Sequence, residues 1–369
     1  MGRRACYDAG NEPLGSPPMI RRTALALFAA ALLAGCASQP PAKRPAWALA
    51  VHGGAGVMDR ETMGPETEAA YRAAMNAALE RGRAVLDRGG SALDAVEAVV
   101  RGLEDDPLFN AGRGAVFTAD GRNELDAAIM DGATLKAGAV ASVTGTKNPI
   151  TLARAVMEKS PHVMLIGQGA EKFGQAQGVE RAEPAWFFTE RRWQSLKKSL
   201  AQRNLPIPAR PAGAPPEPAQ VSDAWPEDRK FGTVGVVALD RAGHVAAGTS
   251  TGGTTAKLWG RVGDVPVIGA GTYASDASCA VSATGTGEYF IRLGVAREIC
   301  ALVEYRGMSL QDAADEVIQK RVTALGGDGG VVALAPDGQV AWSFNTSGMY
   351  RARLVEGGQP VVGIFKGED

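Results

Sequence analysis

Between Asn204 and Arg229 the chain carries seven prolines, spaced mostly by Ala, Gly, Glu and Asp. Proline has no amide proton and a fixed φ, so such a tract enters neither a helix interior nor a central strand. A structureless stretch of this length inside a compact domain is a linker or a functional segment. Immediately after it comes "FGTVGVVALD", the pattern of a buried strand, with Gly232-Thr233 at the join. The fold must therefore be assembled from two blocks of regular structure, one on each side of a segment that contributes none.

In the first block, "AWALAVHGG" reads as a buried strand ending in a Gly turn, followed by helices over Glu66 to about Arg88 and Ser91 to about Glu104. Ser91 with Asp94 forms a capping-box start, and Leu93, Val96, Val100 and Leu103 make an apolar face at 3–4 spacing. A strand over Gly138–Thr146, a helix over Ile150–Glu158 and a short buried strand in "HVMLIG" complete this half. The second block reads as a hairpin turning at Asp240–Gly243, a strand through Cys279 and a Gly-rich turn into one long helix. A helix capped at Ser309 and a hairpin turning at Asp337-Gly338 follow. This order predicts mixed sheets covered by helices rather than a parallel βαβ ladder.

The formal net charge of the 369 residues is −1, and no basic stripe gives a footprint for nucleic acid. The four cysteines, Cys6, Cys36, Cys279 and Cys300, form no C-x-x-C pair, so zinc and thioredoxin-like readings have no support. The stretch from Met19 is laid out as a secretion signal: Arg21 and Arg22, then an apolar run over Leu25–Leu33 too short to span a bilayer. Leu33-Ala34-Gly35-Cys36 resembles a bacterial lipobox, which makes Cys36 the lipidated first residue of the mature chain. Residues 1–35 are then the signal peptide, with 1–18 read as upstream of the true start, and 36–45 a tether. Ala37 favours the outer membrane, with the domain facing the periplasm and a lipid anchor as its only membrane contact.

Three patterns compete for the chemistry. Gly248-Thr249-Ser250-Thr251-Gly252 is a literal G-x-S-x-G, but no histidine lies beyond His244 to serve a nucleophile elbow. Gly285-Thr286-Gly287 opens a helix whose amides could face a phosphate or an oxyanion; a tight structural turn reads equally well. Thr233 follows the Pro-rich tract. A hydrolase lacking a suitable histidine can take its base from the α-amine of an N-terminal nucleophile. Cutting before Thr233 would create that amine, and the flexible tract upstream would let the new end swing away. A plain β-branched strand residue is the alternative.

"HGGAG" (His52–Gly56), "LFNAGRGAVFTADGRNELDAAIMDG", "GTVGVVALD", "TSTGGTTAKLWGRVGDVPVIGAGTYA", "SATGTGE" and "FNTSGMYRA" together resemble the plant-type asparaginase/isoaspartyl peptidase family of N-terminal nucleophile hydrolases. The resemblance runs from about Ala46 to Ile364. It implies an α+β fold, a four-layer αββα sandwich. It also implies self-cleavage into an α chain over 46–232, with a flexible tail at about 204–230, and a β chain over 233–369. Thr233 is then the nucleophile and Thr251 its support. Arg261 and Asp264 hold the α-carboxylate and α-ammonium of the substrate, Thr284 and Gly285 form the oxyanion hole, and Gly287 adjoins the substrate. Asn110 positions the centre. The implied reaction is hydrolysis of L-asparagine or of β-aspartyl peptide bonds, releasing L-aspartate without a catalytic cofactor.

The resemblance further implies a structural sodium ion wrapped by main-chain carbonyls of Leu103, Glu104, Asp106, Phe109, Ala111 and Arg113. Asp106 and Arg113 stand where relatives commonly carry apolar or small residues. A small-molecule or dipeptide substrate and a dimer of αβ heterodimers are the implied partners. A glycosylasparaginase, cleaving the sugar–Asn bond, and a non-catalytic periplasmic binding lipoprotein are the alternatives. Gly232-Thr233, where the glycosylasparaginases usually read Asp-Thr, favours the asparaginase branch. Cys279 and Cys300, assigned to a strand and a helix, are expected to remain unbridged.

Overall fold

The computed structural model describes residues 44–58, 60–61, 63–218 and 232–368. The signal segment, Cys36, most of the tether and the end of the Pro-rich tract lie outside the described residues. The elements in chain order begin with β1 (Ala48–Gly56), α1 (Pro65–Asp87), α2 (Ala92–Glu104), β2 (Leu125–Asp131) and β3 (Ala137–Val143). Then come α3 (Pro149–Lys159), β4 (Met164–Ile166), α4 (Gly167–Ala176), α5 (Pro184–Phe187) and α6 (Glu190–Gln202). Beyond the tract lie β5 (Val234–Leu239), β6 (Val245–Thr251), β7 (Thr272–Ala274), β8 (Ala280–Gly285), α7 (Gly287–Leu293) and α8 (Val295–Arg306). The chain ends with α9 (Leu310–Asp315), which runs on as a π-helix over Glu316–Val322, then β9 (Gly329–Leu334), β10 (Val340–Phe344), β11 (Gly348–Val355) and β12 (Val361–Phe365).

These strands form two sheets, in the orders β12-β11-β1-β5-β6-β2-β3-β4 and β10-β9-β8-β7. All neighbouring pairs are antiparallel except β3 with β4. Alternation along the buried strands assigns the layers. Leu49 and Val51 of β1 and Val234 and Val236 of β5 pack with Leu79, Val96 and Val100 of α1 and α2. Ala48, Ala50, Val237 and Leu239 face Val332 and Leu334 of the second sheet. The outer face of that sheet (Val281, Ala283, Val331) meets Ile299, Leu310, Val317 and Ile318. The result is the α+β, four-layer αββα arrangement expected. Because β5 lies between β1 and β6, a cut before Thr233 would leave the two pieces interlocked in one sheet.

Helix starts follow the sequence: Ser91 accepts from the Asp94 amide in a complete capping box, and Ser309 caps α9. Other details differ. β4 is an edge strand with Met164 and Ile166 exposed, not a buried one. The single long helix is two, because Gly294 adopts φ 58° and closes α7 before α8 begins. Cys279 and Cys300 are bridged, against expectation, with their Cα atoms 5.4 Å apart. Both side chains belong to the buried cluster between α8 and the second sheet, so a strand and a helix distant in sequence share one contact.

The bridge closes a loop of sequence separation 21, for which loop-closure entropy gives about 3 kcal/mol. For a body of this size that corresponds to roughly 5 °C. Reductant should lower the melting temperature of the parent by that amount and leave a Cys300→Ala variant unmoved. Equal melting curves with and without reductant would show that the bridge contributes nothing.

Candidate active site

The Gly232–Thr233 junction is held from both sides. The Asn110 amide donates to the Gly232 carbonyl at 2.9 Å. Thr233, 7% exposed, donates its hydroxyl to Thr251 Oγ1 at 2.9 Å across the β5–β6 hairpin. Thr251 Oγ1 also accepts the Gly253 amide at 3.0 Å, and the Gly253 carbonyl accepts Asn110 Nδ2 at 2.8 Å. Asn110 Oδ1 in turn accepts the Val116 amide at 2.9 Å. Thr233, Thr251 and Asn110 are thus brought together as the sequence reading required, and Asn110 is locked at both ends of its side chain.

His52, to which the sequence assigns no role, has its ring hydrogen-bonded to the Thr233 main chain. The Thr233 carbonyl can only accept, so His52 Nδ1 carries the proton and donates to it at 3.1 Å. His52 Nε2 then accepts from Ser282 at 2.9 Å, Ser282 from Thr249 at 2.6 Å and Thr249 from Thr272 at 2.7 Å. This buried chain of hydroxyls ties the Thr233 main chain to the start of β7. The sequence signals only that a histidine within an apolar buried strand needs a partner; which partners it finds depends on the packing of the layers.

Burial lowers the His52 pKa to about 3, against the raising effect of the Thr233 carbonyl. Below about pH 6.5 the unfolded chain takes up a proton here that the folded protein refuses. This residue therefore removes stability as pH falls from about 6.5 toward 3, by about 1.4 kcal/mol per pH unit once well below 6.5. His52→Gln should remove that component from urea unfolding free energies measured between pH 7 and 4.5. Identical pH slopes for the two proteins would show that His52 is not held neutral.

Arg261 and Asp264 converge on Gly287. A Cβ there would stand 2.9 Å from Arg261 Nη2 and 3.0 Å from both Asp264 N and Oδ1, so only glycine fits. Arg261 presents its fork to Glu288, Nε at 2.9 Å and Nη2 at 3.0 Å. Asp264 is 5% exposed and its Oδ2 has no hydrogen-bond partner among the described residues. Burial raises its pKa to about 7; its own amide and Arg261 oppose the rise, while Glu288 and Asp126 add to it. A buried carboxylate oxygen without a donor, beside a guanidinium, suits the ammonium and carboxylate of an α-amino acid. Arg261 Nη1 also lies 3.5 Å from where a Gly253 Cβ would be, linking this pair to the Thr251 turn.

Thr284 and Gly285 end β8 one residue before Thr286, the N-cap of α7. Thr284 is fully buried, and its Oγ1 accepts the Ala55 amide at 3.4 Å. Ser250 of the G-x-S-x-G pattern is also fully buried and donates to Glu104 Oε1 at 2.7 Å, on the helix side of the sheet. It has no access to a substrate.

The loop after α2 gathers carbonyl oxygens. A Cβ on Gly112 would lie 2.4 Å from the Glu104 carbonyl, and one on Gly114 2.6 and 2.8 Å from those of Pro107 and Phe109. The charged side chains turn elsewhere: Asp106 Oδ1 accepts the Leu108 amide at 3.0 Å, and the Arg113 guanidinium lies 4.9 Å above the Trp186 ring. Among the described residues no group of three or more His, Cys, Asp or Glu side chains forms a metal cluster. Any cation in this loop would be held by main-chain oxygens, a donor set that suits a hard ion.

Comparison with known proteins shows the family. Residues 45–364 match the family described as asparaginase. The chain is 51% identical over 318 residues to an isoaspartyl peptidase of Escherichia coli K12, covering 86% of this chain and 96% of that protein. It is 42% identical over 327 residues to a probable isoaspartyl peptidase/L-asparaginase 2 of Arabidopsis thaliana, covering 87% of this chain and 99% of that protein. It is also 42% identical over 319 residues to a plant-type L-asparaginase of Thermococcus kodakarensis, covering 86% and 99%. With its two-sheet sandwich and a threonine poised at the head of β5, the chain belongs to the asparaginase family, alongside the isoaspartyl peptidases and plant-type L-asparaginases.

Proposed function

We propose that the chain is a self-cleaving isoaspartyl peptidase/L-asparaginase that hydrolyses the side-chain amide of L-asparagine and N-terminal β-aspartyl peptide bonds. The observation that carries this reading is the Thr233–Thr251 hydroxyl pair beside a Gly232 carbonyl gripped by Asn110. Hydrolysis of the Gly232–Thr233 bond frees the Thr233 amine. In turnover Thr233 Oγ attacks the side-chain carbonyl carbon and the amine takes up its proton. Thr284 and Gly285 face the developing oxyanion. The proton passes to the departing ammonia or amino acid, and water then hydrolyses the β-aspartyl ester to release L-aspartate. Arg261 and Asp264 fix the α-carboxylate and α-ammonium, which makes the free aspartyl N-terminus a condition of binding.

The same reading includes a sodium ion held by the carbonyls of the Leu103–Arg113 loop, which would keep Asn110 in place and take no part in bond-making. It also includes a dimer of αβ heterodimers. It places the protein in the cell envelope as a periplasm-facing outer-membrane lipoprotein anchored through Cys36. The Cys279–Cys300 bridge supports an oxidising compartment.

The deciding experiment is intact mass of a soluble protein beginning after Cys36, followed by assays on asparagine and β-aspartyl dipeptides. Two chains divided between Gly232 and Thr233, with aspartate released, are expected. A folded chain that stays uncut on long incubation would remove the catalytic amine and the enzyme reading with it.

A further inference from the structure

Lys257 is the one lysine buried among the described residues, at 5% exposure. Its ammonium donates to the Glu124 carbonyl at 2.9 Å. Its stem lies over Gly253, which has φ 80°; a Cβ there would be 3.2 Å from both Lys257 Cδ and Nζ. Two residues beyond Glu124 is Asp126, fully buried and directly opposite Thr251 in the β2–β6 ladder. Asp126 Oδ1 accepts the Ser142 amide at 2.8 Å and Oδ2 has no hydrogen-bond partner among the described residues. Burial pushes this carboxyl up, and the Lys257 charge is the largest influence against that rise.

The side chain therefore spans two structures. Its charge acts at longer range on the Asp126 carboxyl of β2, against the burial that raises it. Its stem covers the Gly253 turn, whose amide donates to Thr251 Oγ1 and whose carbonyl anchors Asn110. We propose that Lys257 is a positioning residue of this active site, pressing the Gly253 turn so that Thr251 stays aligned with the Thr233 hydroxyl. The inference rests on the reading of Thr233 as nucleophile. It also explains why a charge is buried here at all. Its desolvation is tolerated because Asp126 and the Glu124 carbonyl answer it, and the ammonium then fixes a turn that no side chain of its own could fix.

A purely structural role, neutralising Asp126, makes a different forecast, and the two separate in a double variant. Lys257→Met should lower the melting temperature by leaving Asp126 unanswered. Its kcat on asparagine should fall about 30- to 100-fold, the scale of a small misplacement of a reacting group, with KM within about threefold of the parent. Lys257→Met/Asp126→Asn should regain the melting temperature but not kcat. Should the Met variants fold but remain uncut, slowed cutting is the same result, since Thr251 and Asn110 also frame the Gly232–Thr233 bond.

Recovery of kcat together with stability in the double variant would overturn the proposal, as would a Lys257→Met enzyme within twofold of the parental kcat. Lys257→Arg covers the case of a double variant that does not fold. It keeps a positive charge to oppose the rise of Asp126 but replaces the stem over Gly253 with a bulkier planar head, so kcat is expected to fall more than stability, and parental kcat refutes the idea. A parent that neither cuts nor hydrolyses asparagine would sink the nucleophile reading itself.

Discussion

Thr233→Ala is expected to leave the chain in one piece and to lower asparagine hydrolysis by at least about 10⁴-fold, since removal of a nucleophile leaves only binding and oxyanion stabilisation. Two functions vanish together. The hydroxyl that attacks is gone, and without cutting at Gly232 the α-amine that serves as base stays locked in a peptide bond. Thr233→Ser keeps both groups and should cut and turn over at a reduced rate, because it lacks the methyl that holds the hydroxyl toward Thr251 at 2.9 Å. Intact mass separates cutting from turnover, and a single-turnover assay on the cut Ser variant gives the chemical step. An uncut Ala variant with parental activity would remove Thr233 from the chemistry.

Local sequence makes this threonine a candidate because its surroundings are chemically odd, and the family resemblance makes it the nucleophile. A Pro-rich tract, a Gly-Thr pair and a buried strand in direct succession are hard to account for by packing alone. The helices and hairpins were legible for similar local reasons: Ser91 with Asp94, Ser309, and the turn at Asp337-Gly338 each satisfy backbone groups within a few residues. What the sequence concealed depends on contacts between layers. Cys279 and Cys300 meet only because α8 lies on β8. His52 gains its role from Ser282 and Thr233, which follow it by 230 and 181 residues. The exposed edge position of β4 follows from sheet order, which periodicity does not encode. Arg261 and Asp264, three residues apart, would pass for a surface pair without the family resemblance that singles them out.

Replacing Asp264 with Asn should produce the second large effect, on binding rather than on bond-making. Loss of a buried partner for the substrate ammonium costs about 2–5 kcal/mol, or roughly 30- to 4,000-fold in kcat/KM at pH 8. The free enzyme must ionise Asp264, whose burial raises its pKa to about 7, before it can pair with that ammonium. The acid limb of kcat/KM therefore combines this ionisation with deprotonation of the Thr233 amine, and is steeper than a single group gives. Once substrate is bound, its ammonium keeps Asp264 ionised, so the kcat profile retains only the amine. In the Asn variant the kcat/KM limb should flatten to one ionisation.

Stability moves the other way. The unfolded chain ionises Asp264 above about pH 4 while the folded protein holds the proton to about pH 7, so this residue removes stability as pH rises through that window. Asp264→Asn should accordingly melt higher than the parent at pH 8 while binding asparagine far more weakly. An unchanged KM with an unchanged melting temperature would show that Asp264 neither bears this strain nor holds the substrate.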